Sequence, residues 1–214
     1  NKVSDFDALL QQLTSRAVAA GRDLLVQEAA VNNSRIRAFG GRALSTVRLV
    51  TLRTSDGAIR PVQAGIRVAG KAAAIVDNFH SGGLYFDVDY RTGEIGEGLS
   101  MNFPADPVYL LQPPGSDIQL TGGIVDGWEK IRNLAFDLHE KLTMHNIGGW
   151  DIAMTDRGPV AVECNSVPGM AAPRQRPLSG FLQTEFSGLL RDEIVAYLDK
   201  LAPAGSRFRF GMQE

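Results

Sequence analysis

GGWDIAMTDRGPVAVECN, residues 148–165, decides how this chain is read. Two apolar runs flank Asp156-Arg157-Gly158, and a glycine at the end of a short polar turn is the mark of a β-hairpin. The second run, VAVECN, ends in a carboxylate, Glu163, two residues before a carboxamide, Asn165. Side chains alternate along a strand, so Glu163 and Asn165 share a face and Cys164 points to the other, where it reads as a core residue. A three-residue loop with Gly158 in the left-handed position sets Asp151 opposite Glu163. Directly opposed like charges destabilise a sheet unless a cation lies between them. Two carboxylates and a carboxamide form an oxygen-only donor set, which suits Mg²⁺ or Mn²⁺ better than Zn²⁺. An exposed strand end with two solvated acids is the competing reading, and a one-residue slip of register would separate the three side chains.

Working outward, residues 4–20 have a helical apolar stripe, with Ser4 as N-cap, Asp7 completing an approximate capping box and Gly21 as the stop. DLLVQEA (23–29) reads as a short buried strand, and NNSRIRAFGGR (32–42) as a polar, glycine-punctuated loop. ALSTVRLVTLRT (43–54) and IRPVQAGIRVAG (59–70) form a hairpin around Ser55-Asp56-Gly57. Residues 72–96 hold a short strand, the loop DNFHSGG and another hairpin. Four prolines make 97–124 irregular, and helices are expected over 126–145 and roughly 180–201. This succession argues for an α+β fold with a largely antiparallel sheet.

The composition excludes several classes. With 214 residues the chain can bury a sizeable core as one large domain or two small lobes. A formal net charge of −2 leaves no electrostatic footprint for nucleic acid. One cysteine, Cys164, excludes an intrachain disulfide, and no apolar run is long enough to span a bilayer. Oligomeric state is not legible.

Two further groups carry chemistry. In DNFHSGG the adjacent Gly82 and Gly83 allow close backbone approach to an anion, and Asn78 adds a donor, although many such loops are only turns. Arg48 and Arg67 lie on apolar strands, where a guanidinium needs an anionic partner, either a phosphate or a structural carboxylate. His80 sits in the Asn-Gly-Gly loop and is a candidate substrate contact. His139 and His145, six apart, have no metal-ligand spacing and read as ordinary helix residues on different faces. GEIGEG (93–98) opens no helix and is not a dinucleotide loop. Arg174 and Arg176 are either substrate contacts or solvated.

Together these pieces resemble the ATP-grasp superfamily of carboxylate–amine ligases, and most closely its sugar-transfer-associated family. The pattern S-x-x-T-x-R-x-V-T, V-D-N-F-x-x-G-G and G-W-D-x-A-x-T-x-x-G-P is largely present, with the first element altered to LSTVRLVT. The resemblance covers roughly residues 4–200. It implies an ATP-grasp C-terminal lobe over 22–214, with 1–21 as the end of the preceding lobe, in a chain that is a fragment of a longer one. It implies ATP and Mg²⁺ (or Mn²⁺) as cofactors, with Asp151, Glu163 and Asn165 holding the metal. It places Val26, Gln27 and Glu28 at the adenine or ribose, Arg48, Arg67 and Asn78 at the transferring phosphoryl group, and Gly82 and Gly83 beneath the phosphates. The activity implied joins a small-molecule carboxylate to an amine or other nucleophile through an acyl phosphate, in cell-surface polysaccharide or sugar-conjugate synthesis in the cytoplasm. A nucleotide-binding or scaffold module without ligase activity, and a metal-independent interaction domain, are the alternatives.

Overall fold

The computed structural model describes residues 5–69, 82–100, 108–168 and 185–201. In chain order the elements are α1 (Phe6–Ala19), α2 (Ser34–Gly40), β1 (Thr46–Arg53), β2 (Ile59–Val68), β3 (Leu84–Val88), β4 (Ile95–Ser100), β5 (Val108–Leu110), α3 (Trp128–Lys141), β6 (Ile147–Thr155), β7 (Gly158–Asn165) and α4 (Glu185–Leu201). The strands form one seven-stranded sheet in the order β5-β4-β3-β2-β1-β6-β7, with every pairing antiparallel. The chain meanders outward from β1 to β5, then returns through α3 to lay β6 on the other side of β1.

Strand alternation makes the two faces different. On one face Val47 and Leu49 of β1, Ile66 of β2, Phe86 of β3 and Ile152 of β6 pack with Ile131 and Ala135 of α3 in the main core. On the other face Val50, Leu52 and Val62 meet Leu189 and Leu190 of α4. Beyond that small apolar cluster the second face turns polar. Pro61 is tolerated within β2 because β3 pairs only from Ala64 onward, so no ladder donor is lost on that edge.

Beneath α3 the core contains a polar relay. His139 is fully buried. Its Nε2 lies 3.0 Å from the carbonyl oxygen of His145, and its Nδ1 lies 2.6 Å from Thr51 Oγ1. A carbonyl only accepts, so Nε2 carries the proton and Nδ1 accepts from the Thr51 hydroxyl. Thr51 in turn accepts from Trp150 Nε1 at 2.8 Å. Burial pushes the His139 pKa down from its ordinary 6.5. The His145 carbonyl opposes that shift, and the charges of Arg53 and His145 add to it. With the folded pKa below the unfolded one, this contribution to stability is present above about pH 6.5 and is lost as pH falls below it. Urea unfolding between pH 7.5 and 5 is expected to show that loss, and a His139→Gln variant a flatter pH profile.

Several sequence expectations change. Helix α1 spans 6–19 rather than 4–20, and its cap is Asp5, which accepts from the backbone N–H groups of Asp7 and Ala8. Ser4 lies outside the described residues. Residues 23–29 form neither strand nor helix and are exposed, so Val26, Gln27 and Glu28 are not part of a buried strand. The apolar run is matched by no adjoining strand among the described residues. Residues 32–42 are not a loop: Asn33 Oδ1 accepts from Ile36 N at 2.9 Å and starts α2. Asn32 is buried, donating to the Ala43 carbonyl and accepting from Ser45 N. Within 97–124, β4 continues to Ser100 and β5 joins the sheet. Helix α3 ends at Lys141, so His145 lies beyond it and touches His139 through its backbone. The short strand expected near residue 72 falls outside the described residues.

Candidate functional site

The hairpin of β6 and β7 places the acidic residues together, by a route other than the expected one. Thr155 pairs with Gly158, so the turn has two residues, Asp156 and Arg157, instead of three. Left uncorrected, that register would set Asp151 opposite Val162. A bulge between Asp151 and Ile152 in the pairing restores Asp151↔Glu163 and Gly149↔Asn165. Asp151, Glu163 and Asn165 therefore share the polar face. Cys164 is exposed, not a core residue, because β7 is the edge strand and both its faces meet solvent. Partial desolvation and the Glu163 and Asp151 carboxylates push the Cys164 thiol pKa up, which keeps it a thiol and a poor nucleophile.

The protein supplies cations to Asp151, on the side of β6 away from Glu163. Arg48 pairs across β1 and β6 with Asp151. Its Nε donates to Asp151 Oδ1, and its Nη2 donates to Oδ2 at 3.0 Å. Arg67, one strand further away, donates from Nη2 to Asp151 Oδ2 at 2.7 Å. Thr46 Oγ1 accepts from Arg67 Nε and Nη2 at 3.0 and 2.7 Å and aims that side chain across β1. Side-chain exposure is 2% for Asp151, 14% for Arg48 and 18% for Arg67, so the cluster is largely out of water. Burial alone would lower the Arg48 pKa, but the hydrogen-bonded Asp151, with Tyr85 and Glu163, outweighs it and the pKa is raised. Asp151 is thus a structural carboxylate partner for both strand arginines.

Tyr85 closes one side of the cluster. It is buried, and its ring lies over Gly65, where a Cβ would stand 2.0 Å from Cζ. Gly65 is the residue paired with Arg48. Gly65→Ala is expected to push the ring aside and cost about 1–3 kcal/mol, measured by urea unfolding. Thr46, Gly65 and Tyr85 are absent from the sequence-derived site. Thr46 was within reach, since it lies two residues before Arg48 on the same face, but the approach of Tyr85 to Gly65 depends on strand pairing.

The remaining expected residues are scattered. Gly82 is exposed with φ +89°, in the left-handed region that glycine accepts, and Gly83 is buried just before β3. Asn78, His80, Arg174 and Arg176 lie outside the described residues. Glu28 reaches Arg157 on the β6–β7 turn at 3.4 Å, an exposed ion pair.

Among the described residues no group of three or more His, Cys, Asp or Glu is arranged to hold a metal ion. The donor chemistry is nonetheless compatible with a hard cation. Glu163 is exposed on the polar face, and Asn165 on the same strand offers its Oδ1 as a second oxygen donor, while its buried and unpartnered Nδ2 calls for an acceptor such as a phosphate oxygen. Asp151 accepts three hydrogen bonds from its arginines, one at Oδ1 and two at Oδ2, so Oδ1 keeps acceptor capacity.

An α+β domain with an open antiparallel sheet face carrying clustered arginines, carboxylates and a carboxamide is built to meet a charged ligand. The family model for sugar-transfer-associated ATP-grasp proteins matches residues 4–183, and the chain belongs to that family. It is thereby a nucleotide-binding domain of the ATP-grasp type, a class that is generally enzymatic and generally uses ATP with a divalent metal. No curated protein and no solved structure matches the chain. No helix among the described residues is long and apolar enough to cross a membrane.

Proposed function

We propose that this domain takes part in an ATP-dependent ligation in which a small-molecule carboxylate is activated as an acyl phosphate and then captured by an amine or related nucleophile. The observation that supports this reading most is the buried Arg48–Asp151–Arg67 cluster in line with Glu163 and Asn165 on one open sheet face. In the first step a carboxylate oxygen bonds to the γ-phosphorus and the bond to the β-bridging oxygen breaks, releasing ADP. In the second, the nucleophile bonds to the acyl carbon, inorganic phosphate leaves with the C–O bond electrons, and the amine proton passes to solvent or base. Phosphoryl transfer calls for positioning and charge neutralisation more than for a covalent enzyme intermediate.

Arg48 and Arg67 supply fixed positive charge where negative charge collects on the transferring group. Glu163, Asn165 and Asp151 would hold Mg²⁺ or Mn²⁺, whose charge would offset that of the phosphates. Asn78 with the Gly82–Gly83 backbone would orient the acyl phosphate, and Val26, Gln27 and Glu28 would line the base or ribose. The family's association with sugar transfer supports a role in polysaccharide or sugar-conjugate synthesis. An ATP- and Mg²⁺-dependent reaction of this kind is placed in the cytoplasm.

The first test is a melting-temperature titration with MgATP of the parent chain and of Glu163→Ala. A rise of several degrees in the parent that is reduced to near zero in the variant is expected, because ligand binding stabilises by RT ln(1 + [L]/Kd). ADP release in the presence of paired carboxylates and amines separates a ligase from a nucleotide-binding module. Binding of MgATP without ADP release from any pair would favour the latter.

A further inference from the structure

We propose that Pro168 is a positioning residue for the candidate cation patch: seated in the room that Gly149 leaves free, it fixes the end of β7 and with it the carboxamide of Asn165. The proposal rests on the reading of Glu163 and Asn165 as cation ligands. Near its start β6 has two adjacent glycines, and neither φ lies in the left-handed region, so room rather than backbone freedom calls for them. Alternation turns them to opposite faces. On the core face a Cβ at Gly148 would stand 3.0 Å from the Trp150 indole. On the polar face a Cβ at Gly149 would stand 2.5 Å from Pro168 Cβ, closer than two carbons can pack, and 3.4 Å from its Cγ. The proline ring thus occupies the place of a side chain at 149. Gly149 is paired with Asn165 at the end of the β6–β7 ladder. Beyond Asn165 the chain passes through exposed Ser166 and Val167 and returns at buried Pro168. That return is short and stiff. Proline fixes its own φ and narrows the choices of Val167 before it, so a shift of Pro168 passes back to Asn165 instead of being absorbed on the way. The point that meets Pro168 also lies 3.5 Å from the Asn165 carbonyl oxygen, so the ring, Gly149 and the end of β7 form one contact. Groups that orient a metal ligand without touching the metal change affinity about 10–100-fold when altered.

The test uses the full chain, Mn²⁺ as the probe, and three variants. Gly149→Ala pushes the ring off its seat, and Pro168→Gly removes the ring. Each is expected to weaken Mn²⁺ binding about tenfold, read by water-proton relaxation. The double variant, Gly149→Ala with Pro168→Gly, puts one methyl where the ring had been. Both ring carbons that the methyl would meet are then gone, and the Asn165 carbonyl oxygen at 3.5 Å is an ordinary contact. The double variant is expected to bind Mn²⁺ tighter than either single variant, the coupling that an exchange of size across one contact requires. A purely structural role predicts lower melting temperatures with Mn²⁺ affinity as in the parent. Independent damage at two places predicts losses that add, leaving the double variant no tighter than the singles. Either result overturns the proposal. Should Gly149→Ala fail to fold, Pro168→Gly decides alone, by loss or retention of Mn²⁺ affinity. If the parent does not bind Mn²⁺, the cation reading falls, and the side-chain amide resonances of Asn165 decide the positioning. They are expected to shift in both single variants and to return toward the parental position in the double variant, and resonances that stay in place in the single variants overturn the proposal.

Discussion

Asp151→Ala is expected to lower stability by about 3–5 kcal/mol, the range found when one partner of a buried ion pair is removed. The size follows from the surroundings. Asp151 is 2% exposed and accepts from two guanidinia that are themselves mostly buried. Its loss takes from Arg48 the carboxylate that both its Nε and its Nη2 meet, and from Arg67 one of its acceptors. A surface ion pair such as Arg35–Asp126, with side chains 75% and 39% exposed, would cost well under 1 kcal/mol on the same change. Urea unfolding measures the difference, and a loss below 1 kcal/mol would show that water reaches the cluster. Replacing the whole cluster, with Arg48→Met, Arg67→Met and Asp151→Leu together, is expected to recover most of the stability, since a buried ionic group contributes little net over apolar packing. It should not recover MgATP binding. That contrast separates what the cluster does for folding from what it does for ligand.

The second large effect is expected from Thr51→Val. The two side chains have the same shape, so packing is nearly unchanged and the hydroxyl is isolated as the variable. That hydroxyl serves two buried partners, donating to His139 Nδ1 and accepting from Trp150 Nε1. Removing it strands one acceptor and one donor, each worth about 1–3 kcal/mol when buried and unsatisfied, for a total of about 2–6 kcal/mol. Thermal and urea unfolding measure the loss. A shift in the pH dependence should accompany it, because His139 then has no reason to keep Nδ1 bare. A cost below 1 kcal/mol would mean that a water molecule has replaced the hydroxyl.

Much of the framework was legible before any coordinates. The alternation in STVRLVT and AGIRVAG placed β1 and β2, and the helical recurrence from Trp128 to Leu138 placed α3. The hairpin of β6 and β7 was legible as well, and so was the sharing of one face by Asp151, Glu163 and Asn165. The turn inside it was not, since a two-residue turn with a bulge and a three-residue loop without one give the same pairing at Asp151. Residues 32–42 were misread because glycines and polar residues dominate their composition. The Asn33 cap and the packing of Ile36 into the core outweigh that local signal.

By itself the sequence determined the alternation of its strands, the periodicity of its helices and the family pattern that spans them. These are local or nearly local properties, set by side-chain direction along the backbone and by the spacing of apolar residues. Only the tertiary structure decided which charges meet. Arg48, Arg67 and Asp151 come from three strands, with Asp151 103 residues from Arg48 and 84 from Arg67, and their contact depends on strand order and register. The same holds for Thr51, His139 and Trp150, and for Tyr85 over Gly65. Strand order decided the fate of Cys164 too: alternation names a face, but only position at the sheet edge leaves that face in water.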